Sequence, residues 1–170
     1  MTGMHYSFLP VQLAQYATLG YGTLLGPGML VSNLSQAGAC FAVALRSKDK
    51  EMKSTAVSSG TTALFGITEP ALYGVTMPLK KPLFCVMASG AIVGLFAGLT
   101  NMRTYASATA GLTALPVYIC DDLSNVRNAA IAMVASIVIS FVLTYFFGGV
   151  GAKTEKPEAI EDPNAKKETK

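Results

Sequence analysis

The chain has 170 residues, of which 51% are hydrophobic and only 14% charged, with 16 glycines and a formal net charge of +3. Soluble domains carry about 25% charged residues, so an ordinary soluble globule is excluded. The charge is also unevenly placed: residues 152–170 hold five lysines and five acids, whereas Gly20 to Leu45 hold no charge at all. The pattern is that of an all-α polytopic membrane protein with a polar tail, and the positive excess sits in loops, so no nucleic-acid partner is implied.

In chain order, residues 1–23 are mixed. Pro10, Gln12, Gln15 and Gly20 interrupt an apolar run, which predicts a short broken or re-entrant segment rather than a full crossing. No basic start precedes an apolar stretch, so no cleavable signal is read. Gly26 to Leu45 is uncharged and long enough to span a hydrocarbon core of ~30 Å. Its small residues Ser32, Ser35, Gly38, Ala39 and Ala42 favour close helix packing. A basic loop follows, with Arg46, Lys48, Lys50 and Lys53 against Asp49 and Glu51.

Between Ser54 and Leu79 the only charge is Glu69, and Lys80-Lys81-Pro82 closes the stretch. A carboxylate at membrane depth costs about 2.5–3.5 kcal/mol on insertion scales. Gly66 and Pro70 break any helix at the acid itself. Both basic flanks prefer the cytoplasm, and two arms of roughly 12 residues are too short to cross separately. The segment is therefore predicted to be a re-entrant hairpin with its tip at Gly66–Pro70.

Leu83 to Thr100 reads as a second crossing, with Gly90, Gly94 and Gly98 in overlapping G-x-x-x-G patterns that favour helix packing. Thr104 to Cys120 is semi-polar, ends near Pro116 and Asp121-Asp122, and is read as interfacial or re-entrant on the outer side. Asn128 to Phe147 is the third crossing, with Tyr145, Phe146 and Phe147 as an interfacial belt. From Gly148 onward the composition is that of a disordered linker or tail. The fold class is all-α, with about three transmembrane helices, re-entrant hairpins and that tail.

Glu69 leads the candidate residues, because an ionised carboxylate can accept hydrogen bonds from two neighbouring hydroxyls. Thr68 is placed to cap the helix after the break and Pro70 to occupy its first position. His5 is the only histidine, and its residue type alone leaves a structural and a ligand role open. Tyr6, Phe8, Tyr73 and Tyr105 could stack on a sugar ring or fill core. Asn33 and Gln36 lie in an otherwise apolar helix, either as interhelical hydrogen-bonding groups or as cavity lining. Cys40, Cys85 and Cys120 read as small hydrophobes, no zinc set exists, and neither a cofactor nor a catalytic motif is found.

Gly66-Ile67-Thr68-Glu69-Pro70-Ala71-Leu72-Tyr73-Gly74-Val75, flanked by Arg46-Ser47-Lys48-Asp49-Lys50 and Leu79-Lys80-Lys81-Pro82, resembles the membrane-embedded enzyme IIC domain of the bacterial sugar phosphotransferase system. Within the glucose superfamily the likeness is to the β-glucoside type, over roughly residues 1–150. The resemblance implies sugar transport across the bacterial cytoplasmic membrane, coupled to phosphorylation by IIB and IIA partner domains. It implies that Glu69 contacts the sugar, with Gly66 and Thr68 in the same turn. It also places His5, in a Gly-x-His motif, at the substrate, with Asn33 and Gln36 as further candidates.

By the same resemblance, residues 1–150 are a partial membrane domain and 151–170 a cytoplasmic linker or tail. An N-terminal half of the permease, which would form a homodimer when complete, is missing. The phosphorylated cysteine of IIB and histidine of IIA have no counterpart here. Met1 then begins a truncated or split product. The alternatives are a non-transporting fragment that docks on an intact permease, and an enzyme using Glu69 as base, which lacks a second catalytic group. Sucrose, trehalose and aryl-β-glucosides all remain open as substrates.

Overall fold

The computed structural model describes residues 7–23, 25–105, 111–118 and 123–148. The described elements are α1 (Leu9–Leu19), α2 (Leu25–Arg46), α3 (Lys50–Leu64), the short α4 (Glu69–Ala71), a π-helical turn (Leu72–Thr76), α5 (Met77–Leu79), α6 (Lys81–Leu99), a 3-10 helix (Leu112–Tyr118) and α7 (Leu123–Phe147). Among the described residues there is no strand, only an isolated antiparallel bridge between Gly22 and Thr104. Among the described residues three helices are long and apolar enough to cross a membrane: α2, α6 and Ser124–Phe147 of α7. The expected crossings are borne out, each starting earlier than composition indicated. Lys81 and Pro82 begin α6, with Pro82 in the first turn where its missing N–H costs nothing. Helix α7 begins at Leu123, which puts Asn125 in its first turn.

Helix α2 is the centre of the bundle, 67% buried against 33% and 28% for the other two spans. One face meets α6 and α7. A side chain at Gly38 would run into the backbone carbonyl of Ile137 on α7, so only glycine permits that approach. A buried serine cluster joins the three helices: Ser35 and Ser89 hydroxyls lie 3.2 Å apart, Ser89 donates to the Ser136 carbonyl at 3.4 Å, and Ser140 donates to the Ser35 carbonyl at 2.5 Å. With no hydrophobic drive between helices in lipid, such packing and hydrogen bonding hold a bundle together. The other face of α2, through Ala37, Cys40, Val43 and Ala44, packs on Ala56 and Ala63 of α3, Ala71, and Val75 of the π-helical turn.

The glycine pattern of α6 behaves differently from expectation. A side chain at Gly90, Gly94 or Gly98 would meet nothing within 4 Å. The helix instead presents Cys85, Val86, Ser89, Val93 and Ala97 to the bundle, which turns the glycines away from it. Close packing through G-x-x-x-G is thus not made by any described residue.

The hairpin is present. Asp49 caps α3 by accepting from the Glu51 N–H at 3.1 Å, which extends the first arm back to Lys50. At 1.5 Å per residue this 15-residue arm is about 22 Å long, about two-thirds of α2. The second arm packs against the first, with Gly74 beside Thr55 and Ser59, and returns to Lys80. Its roots lie at the end of the bundle where Arg46 donates to the Tyr145 carbonyl and sits 5.9 Å from that ring.

At the opposite end, Gly22 and Thr104 exchange two backbone hydrogen bonds of 2.8 Å. The Tyr16 and Thr104 hydroxyls, 3.0 Å apart, moor α1 there. Asn125 ties the loops together, accepting from the Arg103 N–H at 3.0 Å and donating to the carbonyls of Arg103 and Tyr118. From this end the chain dips inward: Ala114 and Tyr118 are buried among Leu30, Leu34, Val93 and Met133. Burial, with a smaller contribution from Tyr16, pushes the Tyr118 phenol above its ordinary value. Of the segment read as interfacial or re-entrant, Gly111, Ala114 and Tyr118 are thus buried in the bundle, while Leu112, Thr113 and Pro116 stay exposed. The expected tail, residues 151–170, lies outside the described residues.

Candidate functional site

The turn at the hairpin tip is built by its own sequence. Helix α3 closes with Phe65 N–H on the Thr62 carbonyl (3.1 Å) and Gly66 N–H on the Ala63 carbonyl (3.0 Å). Gly66 then adopts φ +92, a conformation that a side chain would strain. The Ile67 N–H turns back to the Thr62 carbonyl at 3.1 Å. Thr68 occupies the cap position of α4, but its side chain makes no capping hydrogen bond. Its φ and ψ of −105° and −8° are not the extended backbone from which a cap hydroxyl reaches the next N–H groups. Pro70 stands second in α4, behind Glu69, rather than first. Both expectations are corrected by one residue's backbone.

After Ala71 the helix widens into the π-helical turn, and the Thr76 hydroxyl donates to the carbonyls of Ala71 (3.3 Å) and Leu72 (3.2 Å). Such single turns recur at functional sites. Pro78 and the positive φ of Lys80 end the arm.

Glu69 is exposed at this tip, and its carboxylate makes no hydrogen bond or ion pair with another described residue. Tyr73, 54% exposed, follows it on the same arm, and Ile67 precedes it at 53%. Tyr73 therefore does not fill core. Across the tip, Gly111 approaches so closely that a side chain there would stand 2.6 Å from the Phe65 carbonyl carbon and 2.7 Å from the Gly66 nitrogen. The segment entering from the opposite end thus touches the turn that carries the acid.

Asn33 and Gln36 sit one turn apart on α2, which also packs against α4 and the π-helical turn. Asn33 is buried, and the buried Oε1 of Gln36 has no partner among the described residues. No described hydrogen bond joins either residue to Glu69. The structure thus brings Gly66, Thr68 and Glu69 into one turn and sets Asn33 and Gln36 on a neighbouring helix. His5 and Tyr6 lie outside the described residues. The sequence left Tyr73 open between stacking and core filling, and the structure leaves its ring exposed four residues after Glu69. Among the described residues no group of His, Cys, Asp and Glu could hold a metal. A carboxylate with its lone pairs free, flanked by an exposed aromatic ring, can accept hydrogen bonds from paired hydroxyls.

The model of the family "Phosphotransferase system, EIIC" matches residues 1–91. The chain is 49% identical over 120 residues to the "PTS system beta-glucoside-specific EIIBCA component" of Bacillus subtilis (strain 168), covering 70% of this chain and 20% of that protein. It is 39% identical over 163 residues to the "PTS system sucrose-specific EIIBC component" of Vibrio alginolyticus, covering 94% and 33%. To the "PTS system arbutin-, cellobiose-, and salicin-specific EIIBC component" of Escherichia coli (strain K12) it is 35% identical over 150 residues, covering 87% and 31%. The chain thus spans between 20% and 33% of the length of these curated relatives. No solved structure matches it significantly.

Proposed function

The chain belongs to the phosphotransferase system EIIC family, and from that premise we propose that it is the sugar-contacting part of a permease for β-glucoside-type sugars. Sugar bound at the Glu69 turn is carried across the bacterial cytoplasmic membrane and handed to a phosphorylated IIB domain, which receives its phosphate from IIA. The observation that carries this reading is Glu69 itself: a carboxylate without a described partner, held at the tip of a helical hairpin in an apolar bundle. A partnerless acid at membrane depth is costly and marks a site.

Further support comes from the unsatisfied Oε1 of Gln36, an acceptor that a hydroxyl-bearing ligand would satisfy. The names of the relatives, specific for β-glucosides, sucrose or arbutin, cellobiose and salicin, agree with a glycoside substrate. In this reading Glu69 accepts from two sugar hydroxyls, Tyr73 stacks on the C–H face of the ring, and Gly66 lets the backbone approach. Thr68 supplies a free hydroxyl, and His5 joins from the N-terminal segment. The basic end of the bundle and the tail past residue 150 face the cytoplasm, following the positive-inside rule. Further helices cover the exposed hairpin, since non-helical backbone at membrane depth must be buried in protein or line a cavity. They come from the remainder of the permease, which pairs as a homodimer.

The test is Glu69→Gln in a complete permease carrying this sequence. Gln keeps the size and removes the charge, so binding weakens by about 1.5–3 kcal/mol, as expected for charge-assisted bonds. Folding is nearly unaffected because the side chain supports no described contact. Unchanged sugar affinity would remove Glu69 from the site.

A further inference from the structure

We propose that the cavity between the end of α6 and the start of α7, at the end of the bundle opposite the basic loops, is a second sugar site that a neutral polyol meets before it reaches Glu69. The proposal rests on the reading of the chain as part of a sugar permease, and adds a separate site to it. The cavity has a volume of about 280 Å³, near the lower end of the range for small-molecule pockets.

Its frame is already satisfied. Asn125 spends its amide on Arg103 and Tyr118, and the Thr100 hydroxyl donates to the carbonyls of Phe96 and Ala97. Four other lining residues, Asn101, Arg103, Ser124 and Asn128, make no side-chain hydrogen bond to a described residue. Arg103 is nonetheless fixed, its guanidinium 4.5 Å from the centre of the Tyr21 ring, and stacking leaves its N–H edge open. Asn101 is held at φ +52, where the chain leaves α6 with its N–H on the Gly98 carbonyl. The Tyr105 ring, 6.4 Å from that of Tyr21, forms part of the wall.

This donor and acceptor set distinguishes between ligands. A sugar hydroxyl both donates and accepts, and two amides, a hydroxyl and a guanidinium offer both functions, with a ring for the C–H face. A lipid phosphodiester accepts only, and would leave the amide oxygens unpaired. An acyl chain would leave every one of these polar groups unsatisfied.

The test is photolabelling of a complete permease carrying this sequence in lipid nanodiscs, using a diazirine-bearing β-glucoside with methyl β-glucoside as competitor. Labelled peptides are then mapped. The expected result is competed label on residues 100–105 and 124–128 as well as on 66–76; label on 111–118, which touches the Glu69 turn, counts with the latter. Asn128→Leu and Arg103→Gln each lower label on 100–105 and 124–128 by about tenfold, as loss of one to two such hydrogen bonds implies. Label on 66–76 persists in both variants, which also shows that they fold. Glu69→Gln gives the reverse pattern. Competed label confined to 66–76 and 111–118 overturns the second site and leaves the Glu69 reading standing. Label confined to 100–105 and 124–128 upholds the second site and overturns the role of Glu69. Label on 100–105 and 124–128 that inorganic phosphate displaces overturns the assignment to a neutral polyol, and no competed label anywhere overturns both sites.

Discussion

Helices α2 and α6 are both apolar and rich in small residues, yet they use them in opposite ways. On α2 each kind of small residue has a described contact: Gly38 lies against the α7 backbone and Ser35 sits in the serine cluster, while Ala37 and Ala44 face the hairpin. On α6 the glycine ridge is turned away from every described element and only Ser89 and Ala97 are used. A small-residue pattern therefore states that a backbone can be approached. Which element approaches is decided by the face the rest of the helix buries, and for α6 that face is set by Cys85, Val86 and Val93.

The contrast can be tested in order of expected effect. Gly38→Leu forces a side chain into the Ile137 backbone, and overpacking should cost about 3 kcal/mol or more, or prevent assembly of α2 with α7. Equilibrium unfolding in detergent reads it directly. Gly66→Ala, at the hairpin tip, should cost about 1–2 kcal/mol from the left-handed backbone alone, and should weaken sugar binding in parallel. Gly94→Ala should instead stabilise the isolated chain by up to about 1 kcal/mol through helix propensity. If the same substitution destabilises a complete permease, a further helix occupies the ridge and the contrast disappears. Ser140→Ala removes one interhelical hydrogen bond and should cost about 0.6 kcal/mol. A larger loss would mean that the serine cluster acts cooperatively.

Most of the architecture was legible because membrane spans, helix breakers and basic flanks are one-dimensional signals. The hairpin could be read from Gly66, Pro70 and the two lysine-rich ends, since each acts on its own neighbourhood. What escaped depended on groups distant in sequence or on backbone angles. Asn125 reaches Arg103 across 22 positions, and nothing in its local sequence marks it as a clamp. Thr68 has the residue type of a helix cap, but its backbone angle disposes otherwise. The π-helical turn has no composition of its own, and the cavity beside Asn128 exists only because the end of α6 meets the start of α7. Of the site, the turn from Gly66 to Glu69 was legible, while the exposure of Tyr73 and the contact with Gly111 required the fold.

Because both roots of the hairpin and Arg46 share one end, the cleavage sites for trypsin among the described residues divide into two sets that do not mix. Arg46, Lys48, Lys50, Lys53 and Lys80 belong to one end, and Arg103 and Arg127 to the other, while Lys81 is shielded by the proline that follows it. Protease confined to the first side of a sealed vesicle excises the stretch from Ser54 to Lys80 as a single peptide carrying Glu69. Protease confined to the second side cuts the described residues at Arg103 and Arg127 and leaves that peptide attached. The distribution of basic side chains thus makes the acid-bearing turn removable from one compartment alone, and a peptide map of each vesicle orientation reports the sidedness of the whole molecule.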